Sequence, residues 1–174
     1  HAGELPSVDY ERLGQHFTPT LLLWAPLLGL IGGAALPLVQ VGLITAAGLT
    51  LHRLALGLLP EHTANWLTYG FFTGNALIGP TLGNYTDLCQ LPLAVFVLML
   101  GLVERRRWWI TGAALWIPLI REDTGVLLVA IGLWLLLRQR QRWPLAMALI
   151  AWGGGWVLIC TNLLMPLFSD DNAK

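Results

Sequence analysis

The chain alternates long apolar runs with short polar breaks. No residue between Thr20 and Leu51 is charged, a run too long for one helix that merely crosses an apolar core about 30 Å thick. Gly32-Gly33 predicts a break within it, and Pro37 suits the first turn of the piece that follows. The pattern therefore predicts a short embedded or interfacial helix over residues 19–31 and a full span over residues 34–58. A third segment covers residues 65–82, softened by Gly70, Gly74, Gly79 and Pro80, residue types that membrane helices tolerate and pack closely around. Residues 88–103 form a fourth, ending at Glu104-Arg105-Arg106-Arg107. Segments 108–120 and 124–137 follow, then the basic loop Arg138-Gln139-Arg140-Gln141-Arg142, then a last segment over residues 143–168.

The break "PLIREDTGVLL" places Arg121, Glu122 and Asp123 side by side between two apolar runs. One helix over residues 108–137 would be about 45 Å long, would carry three charges to the bilayer centre and would put the two basic clusters on opposite sides. A hairpin is the better reading. Its arms would be only about 20 Å of helix each against the roughly 30 Å of the apolar core, so the triplet is expected below the outer surface, in a wet, protein-lined recess. Pro118, which removes a backbone donor, disturbs the helix just before that turn.

Composition agrees. Of 174 residues, 56% are hydrophobic and 11% charged, where soluble domains carry roughly a quarter charged, so the chain reads as an integral membrane protein. Ten basic and ten acidic residues cancel, which gives no support to a nucleic-acid partner. Placement of the charge is informative. Putting Arg53, Arg105, Arg106, Arg107, Arg138, Arg140 and Arg142 on the cytoplasmic side leaves the N-terminal stretch, Asp87, the Arg121 triplet and the Asp170-Asp171 tail outside, as the lysine and arginine bias of short loops requires. Trp66, Trp108, Trp109 and Trp143 then lie next to proposed loops, where interfacial rings belong. The expected class is all-α: a polytopic transmembrane bundle of about five to seven segments, some short or re-entrant. Residues 1–18 form a polar non-cytoplasmic segment, 19–168 the helical domain and 169–174 a polar tail. A start at His1 without Met reads as a piece of a longer protein. Cys89 and Cys160 sit in apolar runs without metal-ligand spacing and read as small buried hydrophobes. "GGG" at residues 153–155 lacks the context of a phosphate loop and reads as close helix packing. His52 and His62 flank a loop and read as solvated.

Three polar stretches converge on the outer side in this topology. "DYERLGQHFTP" carries Asp9, Glu11, Arg12 and His16; "GNYTDLCQLPL" carries Tyr85 and Asp87; the third is Arg121-Glu122-Asp123. Carboxylates, an arginine, a histidine and a tyrosine at membrane depth are suited to bind a phosphate, to hold a divalent cation through oxygen ligands, or to take a proton from a hydroxyl. Each has a plainer reading. Asp87 before Leu88 favours a helix N-terminus through the dipole, Arg121 pairs with a neighbouring carboxylate to make its turn tolerable, and His16 is one histidine beside an apolar run. Depth favours the functional reading, because ionisable groups within membrane segments are usually functional.

At these same residues the sequence resembles the domain of unknown function 2079 family, bacterial predicted polytopic membrane proteins that look similar to GT-C membrane glycosyltransferases. "HFTP" at 16–19 looks like that family's His-Phe-Ser/Thr-Pro stretch, and "REDTG" at 121–125 like its Lys/Arg-Glu-Asp-x-Gly. "NYTDLCQLPL" resembles a segment that usually reads aromatic, His, Pro, acidic and then a Leu-Pro-Leu-like helix start, here with Tyr85 at the histidine position and Asp87 at the acidic one. The resemblance implies transfer of a sugar from a polyprenyl-phosphate donor on the non-cytoplasmic side of the bacterial inner membrane, or a relative without the activity. Asp87, Glu122 and Asp123 are the expected catalytic carboxylates. His16, Tyr85 and Arg121 are the expected substrate-binding residues, with a divalent cation as the cofactor to test. Membrane lipid and partner helices are the other expected neighbours. A non-catalytic membrane subunit or scaffold is the alternative; a transporter ranks last, because no inverted repeat is visible.

Overall fold

The computed structural model describes residues 19–74 and 86–164. Among the described residues all regular structure is helical. α1, Leu21–Ile31, stops at Gly32, whose φ of +66° is a left-handed conformation that glycine adopts without steric penalty. A 3-10 turn over Gly32–Ala34 then leads into α2, Ala35–Leu56. The break predicted at Gly32-Gly33 is thus where the backbone turns. α3, Glu61–Thr73, begins four residues earlier than the pattern predicts, because Pro60 in an extended conformation (ψ 146°) releases the chain into a helix whose first residue, Glu61, favours the positive end of the dipole. The expected continuation over 75–82 lies outside the described residues.

A 3-10 turn over Asp87–Gln90 opens the next span and runs directly into α4, Leu91–Glu104, with Pro92 in the first helical turn. α5 is Arg107–Ile120, α6 is Gly125–Arg138, and α7 is Trp143–Ile159, extended by one π turn over Cys160–Leu164. The two arms predicted around the Arg121 triplet are therefore present to within a residue at each end. At 14 residues apiece they are about 21 Å long, short of the apolar core. Three stretches are long and apolar enough to cross a membrane among the described residues: Leu23–Leu56, Asp87–Glu104 and Arg140–Leu164.

Helices α4 to α7 enclose one apolar core, with Leu98, Leu102, Ala113, Ile117, Ile120, Leu128, Leu135 and Leu149 at its centre. α2 packs against α4, and α3 against α2, where the Phe72 ring lies over Gly48. His52, expected to be solvated, is instead half-buried in that seam and its Nδ1 stands 3.1 Å from the Thr68 hydroxyl; His62 remains exposed and accepts from the Trp66 indole at 3.1 Å. α6 and α7 pack most intimately. A Cβ on Gly125 would stand 2.6 Å from the Gly153 carbonyl oxygen, and one on Gly153 would overlap the Gly125 carbonyl, so the first glycine of the "GGG" stretch serves close packing. Cys89 and Cys160 are both buried as reduced thiols.

The hairpin at Arg121 is splayed. α5 and α6 touch each other little: α5 packs on α4, and α6 on α7. Where α7 does reach α5, the contact has a covalent cause. Pro118 has no N–H, which leaves the carbonyl of Ala114 without its helical donor, and the Trp152 indole of α7 donates to that oxygen at 3.0 Å.

Candidate functional site

The bundle has two chemically distinct ends. Arg53 at the close of α2, the α4–α5 turn and the α6–α7 turn define one; Arg105 and Arg142 line a common cleft there, which shows that both arms of the hairpin return to the same end. The Asp87–Gln90 turn, the Arg121 turn and the start of α2 define the other.

At this second end a belt of buried polar groups ties the elements together. Gln40, in the first turns of α2, accepts from the Thr86 N–H at 3.2 Å and so fixes the chain immediately before Asp87. Gln90, 1% exposed, donates to the Thr20 hydroxyl at 3.0 Å, and the Thr20 N–H reaches the Leu119 carbonyl at 3.4 Å, two residues before Arg121. Apolar surroundings make such bonds necessary, since an unmet polar group there has no water to turn to. The belt brings Asp87, the residues following the "HFTP" stretch, and the Arg121 turn to one end of the molecule.

Each expected site residue has a definite position or lies beyond description. Asp87 is buried in the first turn leading into α4, and Glu122 is buried at 7% exposure against α7. Arg121 is half-buried and Asp123 exposed; their ion pair closes at 2.8 Å. The triplet thus divides, with Glu122 turned inward while Asp123, one of the carboxylates expected to be catalytic, is engaged by Arg121. One further donor of that arginine, Nε, is buried with no hydrogen-bond partner among the described residues. Thr124 holds the turn: its hydroxyl stands 2.5 Å from the Ile117 carbonyl and 2.7 Å from that of Arg121, and its N–H also donates to Arg121 O at 3.1 Å. His16 and Tyr85 lie outside the described residues, as do Asp9, Glu11 and Arg12.

Sequence reasoning did not single out Gln40, Gln90, Thr20, Thr124 or Trp152. Gln40 was visible in principle as an amide in an uncharged run, and Trp152 becomes intelligible only once Pro118 has freed Ala114. An apolar cleft of about 260 Å³ starts at Gln90 and Trp116 and descends between α2, α4 and α5 past Leu43, Leu93, Val97 and Gly112. Its mouth shares a turn with Asp87. Among the described residues no three His, Cys, Asp or Glu side chains converge as a cation site would require.

Helices of this length and apolarity, with a buried polar belt at one end and arginines at the other, define a helical membrane protein. The chain belongs to the family described as predicted membrane protein (DUF2079), whose model matches residues 2–174. Neither the search of curated proteins nor the search of solved structures found a match.

Proposed function

We propose that this chain is part of a GT-C-like membrane glycosyltransferase that takes a sugar from a polyprenyl-phosphate donor on the non-cytoplasmic side of the bacterial inner membrane. In this reading the bundle has five to seven membrane segments, with α5 and α6 entering as a short hairpin that carries the Arg121 turn below the outer surface. The observation that carries the proposal is the apolar cleft that begins at Gln90, in the same turn as the buried Asp87: a lipid chain fits below and a charged head above. The buried, unpartnered Nε of Arg121 supplies a donor for phosphate.

The transfer inverts the anomeric carbon. Asp87 or Glu122 takes the proton of an acceptor hydroxyl, whose oxygen bonds to that carbon as the bond to the phosphate oxygen breaks and its electron pair leaves with polyprenyl phosphate. Arg121 and His16 stabilise the departing phosphate, Asp123 orients Arg121 through their ion pair, and Tyr85 contacts the sugar.

Binding of a polyprenyl monophosphate to the full-length protein in nanodiscs tests the reading, with the uncharged polyprenol as comparison. The monophosphate is expected to bind at least about tenfold more tightly, the size of one charge-assisted contact, and Arg121→Gln to erase most of that difference while Glu122→Gln leaves it. Equal binding of both lipids would refute it. The second reading, a non-catalytic subunit, draws on the Arg121–Asp123 pair, which lets the triplet serve as a closed turn; equal binding together with copurifying membrane partners would favour it.

A further inference from the structure

The arginine end holds charge that no carboxylate among the described residues neutralises. Glu104 is ion-paired through both oxygens, with Arg53 at 2.8 Å from one and Arg106 at 3.0 Å from the other, and both arginines also lie over the Trp109 ring at 5.4 and 5.3 Å. Arg105, Arg107, Arg138, Arg140 and Arg142 make no ion pair among the described residues. They line two adjoining clefts of about 590 and 640 Å³ between the α4–α5 and α6–α7 turns, which share Arg105, Gln141 and Arg142.

Two details distinguish this from a loosely charged loop. Arg142 is held in place by donating to the Leu102 carbonyl at 2.9 Å, so one guanidinium is fixed at the cleft wall. Arg105 closes α4 in a left-handed conformation, φ 56°, with the Arg106 N–H on the Gly101 carbonyl at 2.9 Å. Glycine is the residue that fits this closure without strain, yet an arginine stands there, its exposed side chain beside the cleft. The cleft's opposite wall is apolar, formed by Ile110, Pro144 and Leu145, and the exposed rings of Trp108 and Trp143 begin the two helices that flank it. Charge above and an apolar wall below match an amphipathic anion.

We propose that this cleft binds the headgroup of an anionic phospholipid, the phosphate between Arg105, Arg107 and Arg142 and the first acyl methylenes against Ile110, Pro144 and Leu145. Such basic pockets between membrane helices are suited to phospholipid headgroups. The site lies at the opposite end from the proposed donor site and does not depend on it. It anchors the α4–α5 and α6–α7 turns to each other through a lipid, adding to the Arg142–Leu102 hydrogen bond and offsetting the repulsion among the arginines.

Native mass spectrometry of the full-length protein released from nanodiscs containing equal parts phosphatidylglycerol and phosphatidylcholine tests the site. Wild type is expected to retain phosphatidylglycerol in preference to phosphatidylcholine. Arg105→Gly, which relieves the left-handed strain while removing the charge, and Arg107→Gln should each lower that retention roughly fivefold, with inorganic phosphate at millimolar concentration failing to displace the lipid. Equal retention of the two lipids by wild type, or unchanged retention in both variants, would overturn the proposal. Displacement by inorganic phosphate would overturn it as well, leaving a free-anion site.

Discussion

The indole of Trp152 donates to the carbonyl oxygen of Ala114, the oxygen that Pro118 leaves without a helical partner. A helix-breaking residue before the Arg121 turn is thereby converted into the contact that seats α7 on α5. Trp152→Phe should destabilise the protein by about 1 kcal/mol in detergent, the size expected of an interhelical hydrogen bond. In a Pro118→Ala background, where the residue-118 N–H can return to Ala114, the same substitution should cost measurably less. A double-mutant cycle by thermal unfolding checks this, and strictly additive effects would show that the two residues are not coupled.

Gln90 and Thr20 join the Asp87 turn to the chain entering α1 across 70 positions. Thr20→Val should lower unfolding free energy by about 1 kcal/mol, since it leaves a buried amide N–H short of its acceptor. Thr50→Val, which removes a hydroxyl bonded only within its own helix, should have a smaller effect. Equal losses in the two variants would mean that the buried belt does not hold this end together.

Gly125 and Gly153 let α6 and α7 meet backbone to backbone. Gly153→Ala should cost roughly 1–3 kcal/mol by forcing the helices apart, whereas Gly155→Ala, which has open space around it, should be near neutral. Melting temperatures of the two variants separate the cases. A tolerated Gly153→Ala would contradict the close approach.

The two ends of the bundle should face opposite sides of the membrane. Asp123 and Arg140 are both exposed, and the native Cys89 and Cys160 are buried, so single cysteines at 123 and 140 can be labelled against a low background. A membrane-impermeant maleimide should label Asp123→Cys on intact cells and Arg140→Cys only after permeabilisation. Labelling of both from one side would contradict the orientation drawn from the arginine loops.

Much of the fold was legible because its determinants are local. Gly32-Gly33 and the two arginine clusters punctuate the apolar runs, so helix ends fell within a few residues of their observed positions. What the sequence could not convey was which helices touch. α5 and α6 follow one another in a hairpin yet barely meet: α6 packs on α7 through the Gly125–Gly153 contact, whereas α5 packs on α4 and meets α7 at the oxygen freed by Pro118. The candidate site was legible as residue types but not as bonds. The charges of Arg121, Glu122 and Asp123 were evident, but the inward turn of Glu122 and the closure of Arg121 onto Asp123 depend on the Thr124 hydroxyl and on the burial around it. Gln40, Gln90 and Thr20 are unremarkable in sequence and matter only because the fold brings them together.

The most direct test of a lipid-linked donor site at the Asp87 end is a crosslinking map made with a photoactivatable polyprenyl phosphate on the full-length protein in its membrane. Adducts are expected on the peptide carrying Gln90, Leu93 and Val97 and on Trp116, competed by unlabelled polyprenyl phosphate and reduced by Arg121→Gln. Adducts spread over the lipid-facing surface, in the same pattern as a neutral phospholipid probe and without competition, would contradict the site.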